Sequence, residues 1–559
     1  MFVRRKTSKN SPKIAIQLVE NIRDGKKVKQ KIVRHFGTAL NEDEAKVLTG
    51  LAMVYKAQLQ ESSEQLKLFD KSDFSTIERL VESSQAKQPE RLDVNLRNII
   101  EEKRITTGVH QVFGKIFDKI DFNNVIEKPS RKKSSVKLLK NVVIGRIAEP
   151  ASKRSTARML SEEYDVNTQL TSIYRMMDML DDKAIGNIKQ KAYSYTKQLK
   201  GEELDVVFYD CTSLYFESFQ QEGLMQNGYS KDGKFNQAQL ILSILVTKQG
   251  LPVGYQLYSG NTFEGNTLED AITLIKQKYK IGEVVFVADS GLISHKNTTE
   301  LHNNNVSFIM GARIKNQNLV ITNQILNKSD YKTIDQKQYE NGLKYKQINV
   351  SDDFIMTVTY SPKRAEKDRY DRVVAIDKLK KKLKKSKNPK GLLSNFGYKK
   401  FLKIKGKADL EIDESKLQEA RQWDGLKGIV SNTKNLTPLQ QITHYAGLWQ
   451  VEETFRISKH DVKMRPIYHW TDSRIKAHIA ICFMALSCMR FAEYEIAARY
   501  KKISPAEIRR QLKQVQTSIL KDKSTNKLYA LPSKIQEDAY KILHLYDIKH
   551  ITTPYELLK

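Results

Sequence analysis

Asp210 closes the apolar run Leu204-Asp205-Val206-Val207-Phe208-Tyr209, and Asp289 closes a second, Glu283-Val284-Val285-Phe286-Val287-Ala288. Short runs of Val and Phe bounded by turns read as buried strands, and an open α/β sheet presents its ligands beyond strand ends. Two carboxylates brought close together repel unless a cation lies between them. An all-oxygen donor set suits magnesium or manganese rather than zinc. Two such ions about 3.5–4 Å apart could activate a water and stabilise the leaving oxygen of a phosphodiester. Taken singly, each aspartate is equally readable as a capping or turn residue.

A third carboxylate sits in the segment Tyr445-Ala446-Gly447-Leu448-Trp449-Gln450-Val451-Glu452-Glu453-Thr454-Phe455-Arg456-Ile457-Ser458-Lys459. Tyr445, Glu452 and Lys459 fall seven residues apart, so on a continuous helix two turns return each to nearly the same face. Arg456, four residues beyond Glu452, flanks that stripe. Glu453 lies about 100° around the helix and off the stripe. The stripe could join a metal ligand to a phosphate clamp, or be a surface salt bridge beside a packed tyrosine; spacing alone does not separate these. Cys211 adjoins Asp210 but has no neighbouring base, which makes it strand packing rather than a nucleophile. Cys482 and Cys488 lie in the apolar run 479–489 and read as core. Three cysteines form neither a disulfide framework nor a zinc spacing, and the reducing cytoplasm is the expected compartment.

The elements that must hold these groups are legible in the periodicity. Strand-like runs at 14–19 and 28–36 flank Asp24-Gly25, a hairpin signal. A helix follows over 42–59, then a polar linker over 61–91. Residues 92–200 are helical in pattern and studded with Lys and Arg: Arg131-Lys132-Lys133, Lys137, Lys140, Arg146, Lys153-Arg154. They suit phosphate contacts, or simply solvate a helical bundle. From 201 to 314 the period changes to that of a mixed sheet, with strands at 239–247, 253–257 and 307–310 and a helix over 268–278. Residues 315–430 are strand-like around a basic helix, 362–387. Thr437 and Pro438 open a helix running to 459. Another spans 473–501, and 502–559 is a Lys-rich helical tail.

Several stretches together resemble insertion-sequence transposases of the DDE superfamily, in the branch whose last catalytic segment reads Tyr-x2-Arg-x3-Glu-x6-Lys. Tyr445, Glu452 and Lys459 match that signature, while Leu448 stands where the arginine is usual. Val206-Val207-Phe208-Tyr209-Asp210-Cys211-Thr212-Ser213 resembles the first Asp motif, and Val285-Phe286-Val287-Ala288-Asp289-Ser290-Gly291-Leu292 the second. Gly228-Tyr229-Ser230-Lys231, Gly250-Leu251-Pro252, Gly260-Asn261-Thr262 and Arg465-Pro466-Ile467-Tyr468-His469 extend the similarity from the N-terminal hairpin to about Ala498.

The resemblance implies an α/β fold: an RNase H-like catalytic core interrupted by a β-rich insertion domain, with an N-terminal β-hairpin and a helical DNA-binding region. On that plan 1–60 is the hairpin and helix, 61–91 the linker and 92–200 the DNA-binding region. Residues 201–314 and 431–501 form the core, 315–430 the insertion and 502–559 the tail. It also implies that Asp210, Asp289 and Glu452 are catalytic and hold two Mg2+ ions, with Mn2+ able to substitute. Tyr445 and Lys459 would grip a DNA-end phosphate, joined by Lys463 and Arg465. Arg456 could supply the contact that Leu448 cannot. The implied partners are double-stranded DNA, as terminal inverted repeats and as target, and a second protomer.

Composition agrees with a polyanionic partner: 95 Lys and Arg against 65 Asp and Glu leave a formal charge of +30. The competing reading is a lysine-rich surface that only solvates. No stretch reaches the ~18–20 continuous apolar residues of a membrane span, and the start Met1-Phe2-Val3-Arg4-Arg5-Lys6 lacks the apolar core of a signal peptide. A haloacid-dehalogenase-type phosphohydrolase also places Asp after an apolar strand, but it wants a second acid where Thr212 stands. A non-catalytic DNA-binding relic or repressor is the reading from another class, separated by whether bound DNA is cleaved.

Overall fold

The computed structural model describes residues 1–8, 11–24, 27–39, 41–65, 76–86, 88, 92–127, 132–200, 206–218, 220–228, 237–274, 285–334, 342–385, 397–405 and 409–557. The chain forms a mixed α/β protein of two compact units, Met1–Gly282 with Trp449–Lys559, and Glu283–Leu448. The Gly25 side of the hairpin turn, Tyr229-Ser230-Lys231, Arg131, the starts of the two Asp-bearing runs, the end of the 268–278 helix and the last residues of the basic helix lie outside the described residues.

The first unit opens with an antiparallel meander of β1 (Phe2–Ser8), β2 (Ser11–Asp24) and β3 (Lys27–Ala39). Alternation places Ile16 and Leu18 on one face of β2, where they bury with Phe36 and Ala39 against Ala45, Leu48 and Ala52 of α1 (Glu42–Gln65). The expected linker contains a helix, α2 (Thr76–Gln85), because Ile77 and Leu80 recur at helical spacing and are buried. The expected all-helical 92–200 region likewise begins with a strand, β4 (Ile99–Thr106). Then come α3 (Gly108–Lys119), α4 (Lys132–Ala148), α5 (Lys153–Tyr164), α6 (Leu170–Met177) and α7 (Asp182–Lys200). Three antiparallel strands follow in order: β5 (Val206–Tyr215), β6 (Gln239–Thr247) and β7 (Pro252–Ser259), with α8 (Leu268–Thr273) after them.

The second unit starts with β8 (Val285–Ala288), α9 (His295–Asn303) and β9 (Ser307–Gly311), the two strands being parallel. Next come α10 (Leu319–Leu326), β10 (Lys332–Thr333), β11 (Lys344–Asn349), β12 (Ile355–Tyr360) and the basic α11 (Pro362–Lys385). A small hairpin, β13 (Leu402–Lys405) with β14 (Asp409–Ile412), leads to α12 (Glu414–Gln422), β15 (Leu426–Ser431) and α13 (Pro438–Ala446). Strand order in this unit is β10-β11-β12-β15-β9-β8. Residues 315–430 therefore do not stand apart as an inserted body. β15 hydrogen-bonds β9 directly, and Ile348, Met356, Val358 and Leu426 share one core with Ile314, Ile321, Ile325 and Tyr331.

The chain then returns to the first unit through α14 (Trp449–Arg456), a π-helical turn at Ile457–Asp461 and the long α15 (Asp472–Arg499). By length and composition α15 is apolar enough to cross a membrane, yet 94% of its apolar window is buried inside the protein, where α3, α4 and α7 pack on it. The tail is not simply helical. It runs α16 (Pro505–Lys513), β16 (Gln516–Asp522), β17 (Leu528–Pro532), α17 (Glu537–Leu545) and β18 (Tyr555–Glu556). Its strands complete a sheet of order β18-β17-β16-β4, a pairing across the whole length of the chain that no local pattern announces.

Glu495 of α15 is 1% exposed, accepts the Tyr195 hydroxyl at 2.5 Å and pairs with Lys119 at 3.5 Å. Removing one member of a buried charged network leaves the others uncompensated. Glu495→Ala is expected to cost about 2–3 kcal/mol in chemical denaturation, with Glu495→Gln intermediate because it keeps an acceptor for Tyr195.

Candidate active site

Asp210 lies in the middle of β5 rather than at its end, because Cys211 through Tyr215 continue the strand and pair with Gln239–Ser243 of β6. Its neighbours Tyr209 and Cys211 point to the opposite, buried face. There the Tyr209 hydroxyl donates to Thr267 Oγ1 at 2.7 Å and Cys211 Sγ lies 3.3 Å from the same oxygen. Burial pushes the Cys211 thiol up to about 12, so it packs as a neutral group. Asp210 is half-buried, and its Oδ1 accepts the Cys211 amide at 2.7 Å.

The helix expected to run unbroken from Thr437 to Lys459 is three pieces. α13 starts with the Thr437–Gln440 capping box and Pro438, then tightens into i→i+3 bonds at Gly447 and Leu448. α14 restarts at Trp449, and Lys459 falls in the π-helical turn. Tyr445, Glu452 and Lys459 therefore fall on three separate pieces rather than on one continuous helix.

α14 packs on β5 and β6 through Val451, Thr454 and Phe455. That contact puts the Glu452 helix against the Asp210 strand, with Glu452 exposed. Adjacent acids divide their work. Glu453 accepts from Nε and Nη2 of Arg456, each at 2.7 Å, and that pairing holds its carboxyl below the usual range. Glu452 makes no hydrogen bond or ion pair among the described residues. Arg456, expected as a phosphate contact, is instead engaged by Glu453 and by Asp461 at 3.2 Å, which also accepts Arg509 at 3.4 Å. These pairs fix the turn carrying Lys459. Leu448, where the signature arginine is absent, is 8% exposed.

Lys463 and Arg465 follow on an irregular segment. Lys463 is exposed in the left-handed region at φ 48°, and the Arg465 guanidinium sits 5.1 Å above the Tyr215 ring at the end of β5. The Ile467 amide donates to the Tyr215 carbonyl at 3.2 Å, tying this basic segment to the Asp210 strand.

In the second unit Asp289 directly follows β8, as expected, and is exposed. Its Oδ1 accepts the Tyr445 hydroxyl at 3.3 Å, so Tyr445 reaches a carboxylate rather than open solvent. α13 packs on β8 and β9, and Gln441 ties it to β12 by accepting the buried Thr357 hydroxyl at 2.9 Å. Two residues the pattern reading passed over matter here. A Cβ on Gly311 would stand 2.4 Å from the Tyr445 hydroxyl and 2.9 Å from the Ser290 amide, so only glycine admits both. Arg313 braces the loop after Asp289, donating to the Ser290 carbonyl at 3.3 Å. Their one signal was a Gly-Ala-Arg sequence closing a buried strand.

Two of the quoted glycine stretches are structural supports. Gly250 turns β6 into β7 at φ +74°, and the buried Arg490 of α15 donates to its carbonyl at 2.9 Å, to the Gln249 carbonyl at 3.1 Å and to Gln450 of α14 at 3.3 Å. Gly260 passes so close to the Gln239 carbonyl that a Cβ would lie 2.1 Å from it.

Asp210, Asp289 and Glu452 offer only hard oxygen donors, which fits a magnesium-type ion. Among the described residues no group of three or more His, Cys, Asp or Glu is gathered closely enough to hold a metal.

Gly311→Ala is expected to lower the melting temperature through a clash worth about 1–3 kcal/mol. Adding Tyr445→Phe should return part of that loss, since it removes the oxygen the new methyl meets. Thermal unfolding of both variants checks this, and no recovery would place the strain at Ser290 alone.

Residues 201–488, more than half of the chain, match the family described as the transposase DDE domain. Residues 3–65 match the N-terminal domain of IS1634 family transposases. No curated protein matches the chain. Among solved structures, a piggyBac transposase synaptic complex with hairpin DNA is 9% identical over 73% of this chain and 77% of that one, with a TM-score of 0.35. A Mos1 transposase paired-end complex is 14% identical over 33% and 59%, with a TM-score of 0.14. At these scores the likenesses do not establish a shared fold. The family matches do establish membership: the chain belongs to the DDE-domain transposases and is an insertion-sequence DNA transposase.

Proposed function

We propose that the protein cuts the ends of its own insertion sequence and transfers the freed 3′-hydroxyl ends into target DNA, by cut and paste on an RNase H-like core of the Tyr-x2-Arg-x3-Glu-x6-Lys branch. The observation that carries the reading is the division of labour on α14: Glu453 is tied to Arg456, and Glu452 is left unengaged on a helix packed against the Asp210 strand. Glu452 is exposed and meets no protein cation among the described residues, which leaves its carboxylate open to a metal ion.

Asp210, Asp289 and Glu452 would hold two divalent ions, Mg2+ or in its place Mn2+, which when bound supply water activation and charge neutralisation at the scissile phosphodiester. The rest of the work falls to the chain itself. Tyr445 orients the Asp289 carboxylate through its hydroxyl. Lys459, Lys463 and Arg465 contact backbone phosphates, with the segment anchored to β5. Arg456 and Asp461 hold the π-helical turn so that Lys459 keeps its place. The exposed lysines of α11 add non-specific attraction that falls with salt. Pairing two DNA ends calls for two protomers.

The test is a duplex bearing the ends that flank the protein's own gene, incubated with and without magnesium. Asp289→Asn and Glu452→Gln are expected to bind the duplex as wild type does and to nick it only at background, while Glu453→Gln keeps metal-dependent nicking. Cleavage surviving Glu452→Gln would move the third ligand elsewhere. Tight binding without cleavage under either metal would leave a DNA-binding relic or repressor.

A further inference from the structure

A second group of basic side chains lies under the segment that carries Lys463 and Arg465. Lys153, the first residue of α5, and Arg146, in the last turn of α4, are each 5% exposed. Lys153 Nζ lies 3.2 Å from His478 Nδ1 on α15, and His478 Nε2 meets the Met464 carbonyl at 3.2 Å. That carbonyl sits between Lys463 and Arg465, so the group touches the basic segment directly. His469 completes it, its ring 5.3 Å from that of His478. On either side of His469 in sequence, Tyr468 and Trp470 are 64% and 56% exposed.

The charges do not balance. The charge of Arg146 acts on Lys153, His469, His478 and Cys482, and no carboxylate is among the charges acting on Lys153 or His469. The Arg146 guanidinium makes no hydrogen bond or ion pair among the described residues. None of its nitrogens is a fully enclosed atom without a partner, so the donors reach the surface although the side chain as a whole is 5% exposed. Burial, with the neighbouring positive charges, holds Lys153 down to about 7 and His469 down to about 4, which lowers the charge of the group. Arg146 has no such relief, since it cannot lose its proton.

The same place presents a helix N-terminus. α5 is 12 residues long, and Ser152 caps the Ser155 amide at 3.2 Å, while the Lys153 and Arg154 amides, one and two residues into the helix, have no intrahelical acceptor. Amides of this kind and the positive end of the helix dipole favour a phosphate.

Resting on the transposase reading, we propose that Arg146, Lys153 and the start of α5 form a built site for one backbone phosphate of the DNA held by Lys463 and Arg465. A phosphate oxygen could enter from the surface to side chains 5% exposed, and the His478 bond to the Met464 carbonyl sets the group beside the segment of Lys463 and Arg465. His478 positions Lys153 and ties the pocket to Met464, and the exposed Tyr468 and Trp470 border it with apolar surface for the sugar and base next to that phosphate. A bound phosphate would give Arg146 its missing acceptor and keep Lys153 charged.

The test uses the full chain and the same duplex, without magnesium, so that binding is read apart from cleavage. Arg146→Gln is expected to weaken duplex binding about tenfold and to reduce the slope of log affinity against log salt by about one, as loss of a phosphate contact does. Arg158→Gln, at an exposed arginine 4.0 Å from Glu162, is the control and should change neither. Because Arg146→Gln removes an unbalanced charge, its melting temperature should hold or rise, and added inorganic phosphate should stabilise wild type but not the variant. If Arg146→Gln does not fold, Lys153→Gln is read in its place with the same expectations. A folded variant with unchanged affinity and salt slope overturns the proposal, as does a lowered melting temperature with no phosphate effect in either protein, which marks a purely structural arginine. Should wild type bind no duplex, the transposase reading fails. In that case phosphate stabilisation lost in Arg146→Gln would show an anion site and overturn DNA as its source.

Discussion

The buried guanidinium of Arg490 is the interaction on which the placing of β5, β6 and α14 in the first unit depends. It comes from the middle of the core helix α15 and reaches the carbonyls of Gln249 and Gly250 in the β6–β7 turn, the side chain of Gln450 at the start of α14, and Glu493 one turn along its own helix. One side chain thus joins the core helix, the sheet that carries Asp210 and the helix that carries Glu452. A buried cation must be met by acceptors from every side, so the turn and the helix cannot shift independently. Gly250 is the counterpart of that constraint: its φ of +74° and the closeness of Arg490 both exclude a side chain.

The same rule, that charge out of water must be matched, sorts the acids around the site. Asp461 satisfies Arg456 and Arg509, and Glu453 satisfies Arg456 from the other side. What remains unmatched is informative on both signs. Glu452 is an acid without a base, and Arg146 is a base without an acid. Glu452 is exposed, so water meets its charge and its lack of a protein partner costs nothing; on the proposed reading a divalent cation and a phosphate would be the ligands that complete the two.

Much of the framework around the candidate residues was legible in the sequence because it rests on local patterns. β6, β8, β9, the capped start of α13 and the apolar α15 all follow from period, branching and caps, and Asp289 falls at its strand end as the run predicts. Reading Asp210 as a strand end went astray because the apolar run closes there, whereas polar Thr212 and Ser213 are buried in the continuing strand. The helix from Thr437 failed for a related reason: an apolar pattern persists through Gly447 and Leu448 although the backbone hydrogen bonding there changes.

By itself the sequence determined the family to which the chain belongs, and it singled out two aspartates and a glutamate among basic groups as the candidates for its chemistry. These depend on composition and on short-range order, which survive without a fold. Only the tertiary structure decided which acid is free and which is paired, that Arg456 braces a turn, that Gly311 makes room for Tyr445, and that β4 is completed by strands from the far end of the chain. Each of these is settled by side chains distant in sequence meeting in a low-dielectric interior, where an unmatched charge or a surplus methyl group costs more than local propensity can return.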